Sequence, residues 1–196
     1  MDFLSQTYDY LRPGGLVMVP LIFASCWMWV LIIERLLWFA GQARSDISLK
    51  QAMDAMHGAA LPAGAHGLRA DLMAAFLRER TGRRDIDGRI LERHAMRVRP
   101  GIRGSLTIIA TLAAVSPLFG LLGTVTGMIT TFDVIALFGT GNAKAMAGGI
   151  SEALITTQSG LMAAIPGLFM SVFLLRRAAR LEGRLNETIS TLKRCL

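Results

Sequence analysis

Two long hydrophobic segments in the C-terminal half of the chain carry many hydroxyl side chains. They read SLTIIATLAAVSPLFGLLGTVTGMITTFDVIALFG and AMAGGISEALITTQSGLMAAIPGLFMSVFLL. A single threonine in a helix can bond the carbonyl one turn back, so one hydroxyl needs no special explanation. A set this large favours a polar strip that faces a cavity or a partner. The hydroxyl residues in question are Thr124, Thr126, Thr130, Thr131, Thr156, Thr157 and Ser159.

Thr124 and Thr157 are predicted to lie at similar depth in a membrane. The loop between the two segments centres near Gly141, which is 17 residues after Thr124 and 16 residues before Thr157. At about 1.5 Å of rise per residue, each lies about 24 Å of helix from the loop, near the middle of a bilayer. Such a pair, on adjoining helices, could form a ring of hydroxyls if several subunits surround an axis.

Glu152 lies inside the third apolar segment, on the side of the loop. An ionisable group within a membrane segment is costly and is a functional-site hypothesis by default. The alternative is an interfacial Glu152 that is solvated or paired with Lys144. Threonine does not titrate, and the middle of these segments has no carboxylate of its own. We therefore expect a partner helix with one Asp to complete a proton path.

Small residues and prolines in the same segments predict close helix packing. Gly123 and Gly127 form a GxxxG pair, and Gly160 repeats that spacing with Ala164. Small residues let membrane helices approach closely, so plain packing explains these glycines. Pro117 and Pro166 leave backbone carbonyls that neighbours or water must satisfy, and they could shape the inner mouth of a pathway.

The whole chain is predicted to be an all-α membrane protein, since 53% of its 196 residues are hydrophobic and concentrated in long runs. Twelve basic residues in the middle and six in the tail place both in the cytoplasm and the N-terminus outside, by the positive-inside rule. The predicted segments are an N-terminal extracytoplasmic segment 1–15, transmembrane helix 16–40, helical cytoplasmic domain 41–104, transmembrane helix 105–138, extracytoplasmic loop 139–145, transmembrane helix 146–175 and cytoplasmic tail 176–196.

Two details of the middle domain are also predicted. The stretch GAALPAGAHG contains helix-breaking residues and indicates a turn between two helices. The stretch from Asp85 is expected to run as one helix into the membrane, kinked or interrupted at Pro100.

Several function classes are disfavoured. Nucleotide binding is disfavoured because GLLGTVTG lacks the GK[ST] ending that binds phosphates. Nucleic-acid binding is disfavoured because the middle domain has only one aromatic residue, Phe76, on which a base could stack. Two cysteines, Cys26 and Cys195, predict neither a metal site nor a disulfide framework, and we expect no cofactor. A transporter of soluble substrates would usually need more spans and an internal repeat. We expect that the protein is not an enzyme and that an ion gradient powers it.

The segments SPLFGLLGTVTGMITTF and GGISEALITTQSGLMAAIP closely resemble the two signature segments of the MotA/TolQ/ExbB proton channel family. The resemblance covers about residues 105–175 and is strongest to the ExbB and TolQ branch. By motif position, Thr124 and Thr157 match the pore threonines, and Glu152 matches the acidic residue of the third span. MotA-like stators have four spans and a larger cytoplasmic domain, and this departure disfavours a role in flagellar torque.

The resemblance implies a pentamer of this subunit around two copies of a single-span, ExbD-like partner with an intramembrane Asp, in a bacterial inner membrane. In ExbB-like proteins, proton motive force acts through that Asp and drives a TonB-type transducer that serves outer-membrane transporters. A TolQ-like role in envelope integrity and a non-conducting scaffold for the partner helix remain as alternatives.

Overall fold

The computed structural model describes residues 14–58, 60–62 and 64–195, without the side chains of residues 43–45. Every regular element in these ranges is helical, which confirms the predicted all-α class. Residues 1–13 of the predicted N-terminal segment lie outside the described residues. The helices are α1 Met18–Ser45, α2 Leu49–Met56, α3 Leu68–Glu79, α4 Arg84–Arg103, α5 Leu106–Phe138 and α6 Ala143–Cys195, with a 3₁₀ turn at Gly139–Gly141.

Three helical stretches of the described chain are long and apolar enough to cross a membrane, which is the predicted number. They are Met18–Gln42, Arg84–Gly141 and Ala143–Cys195. Helix α6 has 53 residues, or about 80 Å at 1.5 Å per residue, which is far more than one bilayer crossing needs. The residues of the predicted tail, 176–195, continue this helix without a break.

The described residues form two compact units. We name residues 14–32 and 108–172 the apolar unit, and residues 33–107 and 173–195 the charged unit. The predicted hairpin of α5 and α6 lies in the apolar unit. The charged unit contains the two short helices α2 and α3, and GAALPAGAHG lies between them as predicted.

The charged unit has its own apolar core, formed by side chains with almost no exposed surface: Phe39, Leu72, Met73, Phe76, Leu91, Ile102, Leu174 and Leu185. Helix α2 begins with a capping box, because the Ser48 hydroxyl accepts from the Gln51 N–H and the Gln51 side chain accepts from the Ser48 N–H. Asp87, also buried, accepts bonds from the Thr81 N–H, the Thr81 hydroxyl and the Gly82 N–H.

Of the two effects predicted for Pro100, a kink or an interruption, the interruption is wrong. Pro100 lies inside α4, and the break between α4 and α5 occurs at Gly104 and Ser105. Gly104 has φ of +20°, a conformation that side-chain-bearing residues rarely adopt. A β-carbon at Gly104 would also overlap the guanidinium of Arg35, which donates to the Gly101 carbonyl at 3.0 Å.

A candidate ion pathway in the α5–α6 hairpin

Helices α5 and α6 are held together by buried glycines that let their backbones touch. A β-carbon on Gly127 would lie 2.6 Å from the Gly149 carbonyl oxygen and 2.8 Å from the Ala153 nitrogen. A β-carbon on Gly160 would lie 2.8 Å from the Ser116 carbonyl oxygen. Because these neighbours are backbone atoms, no side-chain rotation could make room.

The predicted packing residues take different positions in this contact. Gly123, Gly127 and Gly160 are all buried, and Gly123 packs directly against the side chain of Thr156. Pro117 lies inside α5 and Pro166 inside α6, and both are half-buried. Neither proline can donate a backbone hydrogen bond, so each leaves one carbonyl of its own helix without the usual donor.

Adjacent threonines on α6 have different environments. Thr156 is fully buried, and the single proton of its hydroxyl is shared between the carbonyls of Glu152 at 2.9 Å and Ala153 at 3.0 Å. Thr157 is half-buried, and its hydroxyl lies 2.9 Å from the Ala153 carbonyl and 3.4 Å from the carbonyl of Gly120 on α5. The Thr157 hydroxyl therefore reaches across the helix contact.

Thr124 lies at the same edge of the contact as Thr157. Gly123 faces Thr156, whereas Gly120 lies against the backbone of Thr157. Thr124 is one helical turn beyond Gly120, on the same side of α5. Its half-buried hydroxyl donates to the Leu121 carbonyl at 2.6 Å. The hairpin thus brings the two threonines to one edge, at depths that differ by about one turn.

Glu152 lies on a different face of α6. Five residues at about 100° each put it roughly 140° around the helix from Thr157. Its carboxylate lies against Gly15, three residues before α1, where a β-carbon would displace it. Gly15 has φ of +65°, a conformation that side-chain-bearing residues rarely adopt. The structure does not bring Glu152 and the two threonines onto one surface of a single subunit.

Sequence reasoning missed three parts of this arrangement. Gly149 is buried against Thr131 and Gly127, yet its neighbour Gly148 is exposed, and no local pattern separates them. The approach of Gly15 to Glu152 joins residues far apart in the chain. The carbonyl of Ser116 against Gly160 is likewise a tertiary contact. A helical wheel of α6 could have separated Glu152 from Thr157.

The hairpin can present hydroxyl groups, but it has few ionisable groups of its own. Each donating threonine keeps lone pairs that can accept a further bond from water or a protonated carboxyl group. The described residues contain no group of three or more His, Cys, Asp or Glu that could hold a metal ion. What the hairpin offers chemically is a set of hydroxyl groups that can exchange hydrogen bonds with water or with a protonated group.

Comparison with known proteins gives consistent matches. The profile of the MotA/TolQ/ExbB proton channel family matches residues 58–187. The biopolymer transport protein ExbB of Xanthomonas campestris is 34% identical over 65% of this chain and 49% of its own length, so the chain spans about half of that relative. The putative ExbB-like protein 3 of Synechocystis is 36% identical over 82% of this chain and 81% of its own length. ExbB of Salmonella typhimurium is 31% identical over 87% of this chain and 76% of its own length.

Proposed function

The chain belongs to the MotA/TolQ/ExbB proton channel family, and from this we propose that it is an ExbB-like subunit of an inner-membrane motor driven by proton motive force. This is a family of membrane transport proteins rather than of enzymes. The subunit would act as a homo-oligomer, with a pentamer expected, around an ExbD-like single-span partner. Its N-terminus would be periplasmic and its C-terminus cytoplasmic, and the complex would energise a TonB-type transducer for outer-membrane transport.

The observation that carries the proposal is the shared edge of Thr124 and Thr157. Both hydroxyls are half-buried, and Thr157 reaches the Gly120 carbonyl across the glycine contact. An edge of this kind can face a neighbouring subunit or an inserted helix. We propose that the hydroxyls accept hydrogen bonds from a protonated Asp of the partner as it moves past them.

Glu152 has a separate role in this proposal. It is the carboxylate on the loop side of α6, and it would receive protons from the periplasm before they reach the partner Asp. Its position against Gly15, away from Thr157, supports two steps at different places rather than one cluster. Transfer between them would pass through a neighbouring copy, the partner or water.

Two other readings differ in what they predict. A TolQ-like subunit would use the same pathway but serve envelope integrity. A non-conducting scaffold would hold the partner helix through the hairpin edge and pass no protons. The relatives are named ExbB, which favours the first reading over TolQ.

Proton flux into proteoliposomes that contain the full chain and its ExbD-like partner tests the proposal. Thr157→Val and Glu152→Gln should each lower flux about tenfold or more, since a relay step or a proton acceptor is lost. Matched controls are Thr130→Val and Asp133→Asn, because both residues are exposed in the same hairpin. The controls should conduct like the wild type.

Co-purification of the partner separates the readings. Normal partner binding together with lost flux supports a conducting role. Unchanged flux in Thr157→Val and Glu152→Gln would overturn the proposed pathway. If Thr157→Val also releases the partner, the scaffold reading is favoured instead.

A further inference from the structure

The charged unit contains a cleft whose lining is both basic and aromatic. Its volume is about 330 Å³, within the range of about 300–1,000 Å³ that is usual for ligand pockets. It is lined by Phe39, Phe173, Arg177, Arg180, Leu181 and Arg184. These residues do not belong to the α5–α6 pathway, and the ion-channel proposal assigns them no role.

The three arginines lie along one side of α6. Their spacing of three and four residues places them on one face of the helix. The Arg177 guanidinium lies 5.6 Å from the centre of the Phe39 ring, which holds it in place by a cation–π contact. Arg180 and Arg184 are exposed. Three guanidinium groups thus surround one opening.

The carboxylates near these arginines are bound to other residues. Glu182 accepts two bonds from Arg103, at 2.7 and 2.9 Å. Glu187 lies 3.8 Å from the guanidinium of Arg69. No carboxylate is among the lining residues of the cleft. Its positive charge is therefore left for an external anion.

The aromatic lining belongs to the ends of apolar runs. Phe39 lies in the candidate membrane span Met18–Gln42, three residues from its end. Phe173, 41% exposed, precedes Arg176 and Arg177, the first charges after the apolar run of α6. Such residues mark the border between hydrocarbon and water. The cleft combines an apolar floor with a cationic rim at that border, which matches an anionic amphiphile better than a soluble anion.

We propose that this cleft binds an anionic phospholipid, with the phosphate held by Arg177, Arg180 and Arg184 and an acyl chain lying on Phe173. Guanidinium groups bind phosphate oxygens through paired N–H donors, and basic pockets beside membrane helices select anionic headgroups. The site is independent of the ion pathway, because it uses none of its residues. A bound lipid would couple the stability of the charged unit to membrane composition.

Thermal unfolding of the full chain in neutral detergent tests this proposal. The probes are short-chain phosphatidylglycerol, short-chain phosphatidylcholine and inorganic phosphate. Phosphatidylglycerol should raise the Tm of the wild type in a saturable way, and the other two should not. In the variant Arg177→Gln/Arg180→Gln/Arg184→Gln, the concentration of phosphatidylglycerol that gives half of the Tm increase should rise about tenfold or more.

A charge-matched control is Arg83→Gln/Arg84→Gln/Arg97→Gln, which removes three exposed arginines from outside the cleft. It should respond to phosphatidylglycerol like the wild type. An equal loss in both variants would show general charge attraction and overturn the site. A wild-type response to inorganic phosphate equal to that to the lipid would overturn the lipid assignment.

A second measurement covers a cleft variant that folds poorly. A photoactivatable phosphatidylglycerol should label peptides that contain Phe39 or Phe173 in the wild-type chain. Labelling that avoids both peptides overturns the proposal. A third outcome combines two results: the wild-type chain is not labelled at either peptide, and the cleft variant loses its oligomeric state in size-exclusion chromatography. The cleft is then an interface between copies, and the lipid assignment is wrong.

Discussion

The apolar unit and the charged unit satisfy their polar side chains in different ways. In the apolar unit, hydroxyls donate to carbonyls three or four residues earlier in their own helix, as in Ser116, Thr124, Thr126, Thr130, Thr131 and Thr156. In the charged unit, side chains join distant segments. Arg103 bonds Glu182, Arg99 bonds Asn186 and Lys193 bonds Glu92.

This difference indicates which residues determine each unit's structure. A hydroxyl that bonds its own helix adds little to tertiary structure, so close glycine contacts must hold the hairpin together. In the charged unit, the buried carboxylate of Asp87 and the buried guanidinium of Arg35, which donates to the Gly101 carbonyl, carry more of the tertiary structure than these exposed pairs. It follows that hydroxyls in the hairpin are free to serve an ion pathway without loss of fold.

The largest effect is expected from filling a glycine contact in the hairpin. Gly149→Ala should lower the free energy of unfolding by about 2–3 kcal/mol, because the added β-carbon meets the Gly127 carbonyl and the Thr131 backbone. The measurement is unfolding by sodium dodecyl sulfate in mixed micelles.

The neighbouring residue supplies the control for this prediction. Gly148 is exposed, and a β-carbon there meets nothing within 4 Å. Gly148→Ala should therefore leave stability unchanged or raise it by up to about 1 kcal/mol, through higher helix propensity. Equal losses in both variants would mean that glycine flexibility, rather than close contact, matters in this helix.

The next effect is expected in the charged unit, at Asp87. Its side chain is 1% exposed and accepts three bonds from Thr81 and Gly82. Asp87→Asn replaces one acceptor with a donor that faces an N–H group. It should lower the free energy of unfolding by about 2 kcal/mol. Asp85→Asn, in the same turn but exposed, is the control and should cost little.

The pH dependence of this effect follows from the pKa of Asp87. Burial alone would raise this pKa, but the bonds from Thr81 and Gly82 and the charge of Arg80 lower it below the ordinary value of 3.8. The stabilisation is therefore complete above about pH 4 and is lost as pH falls through the lowered pKa. Hydrogen exchange of the full chain should show wild type and Asp87→Asn converging in acid. A difference that stays constant down to pH 2 contradicts the assignment.

The sequence predicted features that depend on local pattern. Three apolar helices, helical packing through Gly123, Gly127 and Gly160, and a turn between α2 and α3 are visible in composition and spacing. The alternative of an interruption at Pro100 was wrong, because a proline weakens a helix locally but does not determine where it ends. Gly104 ends α4, with φ of +20°, a conformation that side-chain-bearing residues rarely adopt.

The candidate site shows the same limit. Counting residues predicts equal depths for Thr124 and Thr157, whereas the helix contact sets Thr157 level with Gly120, about one turn from Thr124. The edge that they share depends on which glycines face α6, and the burial of Thr156 beside them depends on Gly123. The contact between Gly15 and Glu152 joins residues far apart in the sequence and has no local signal.

A smaller effect is expected from removing a buried hydroxyl in the hairpin. Thr156→Val keeps the shape of the side chain and removes a hydroxyl that bonds only carbonyls of its own helix. It should lower the free energy of unfolding by no more than about 1 kcal/mol and leave proton flux intact. A loss near that of Gly149→Ala would contradict the view that hydroxyls contribute little to this fold.

The smallest effect is expected for the ion pair of Arg103 and Glu182. This pair tests whether exposed ion pairs stabilise the charged unit. Arg103 holds the pKa of Glu182 below its ordinary value, mainly through the hydrogen bond between them. Because Arg103 is 70% exposed, solvent and salt screen most of this interaction. A double-mutant cycle of Arg103→Gln and Glu182→Gln should therefore give a small coupling in low salt that disappears in high salt. A large coupling that resists salt would mean that exposed pairs, as well as the buried Asp87 network, hold the charged unit together. The contrast between the units would then rest on charge itself rather than on burial.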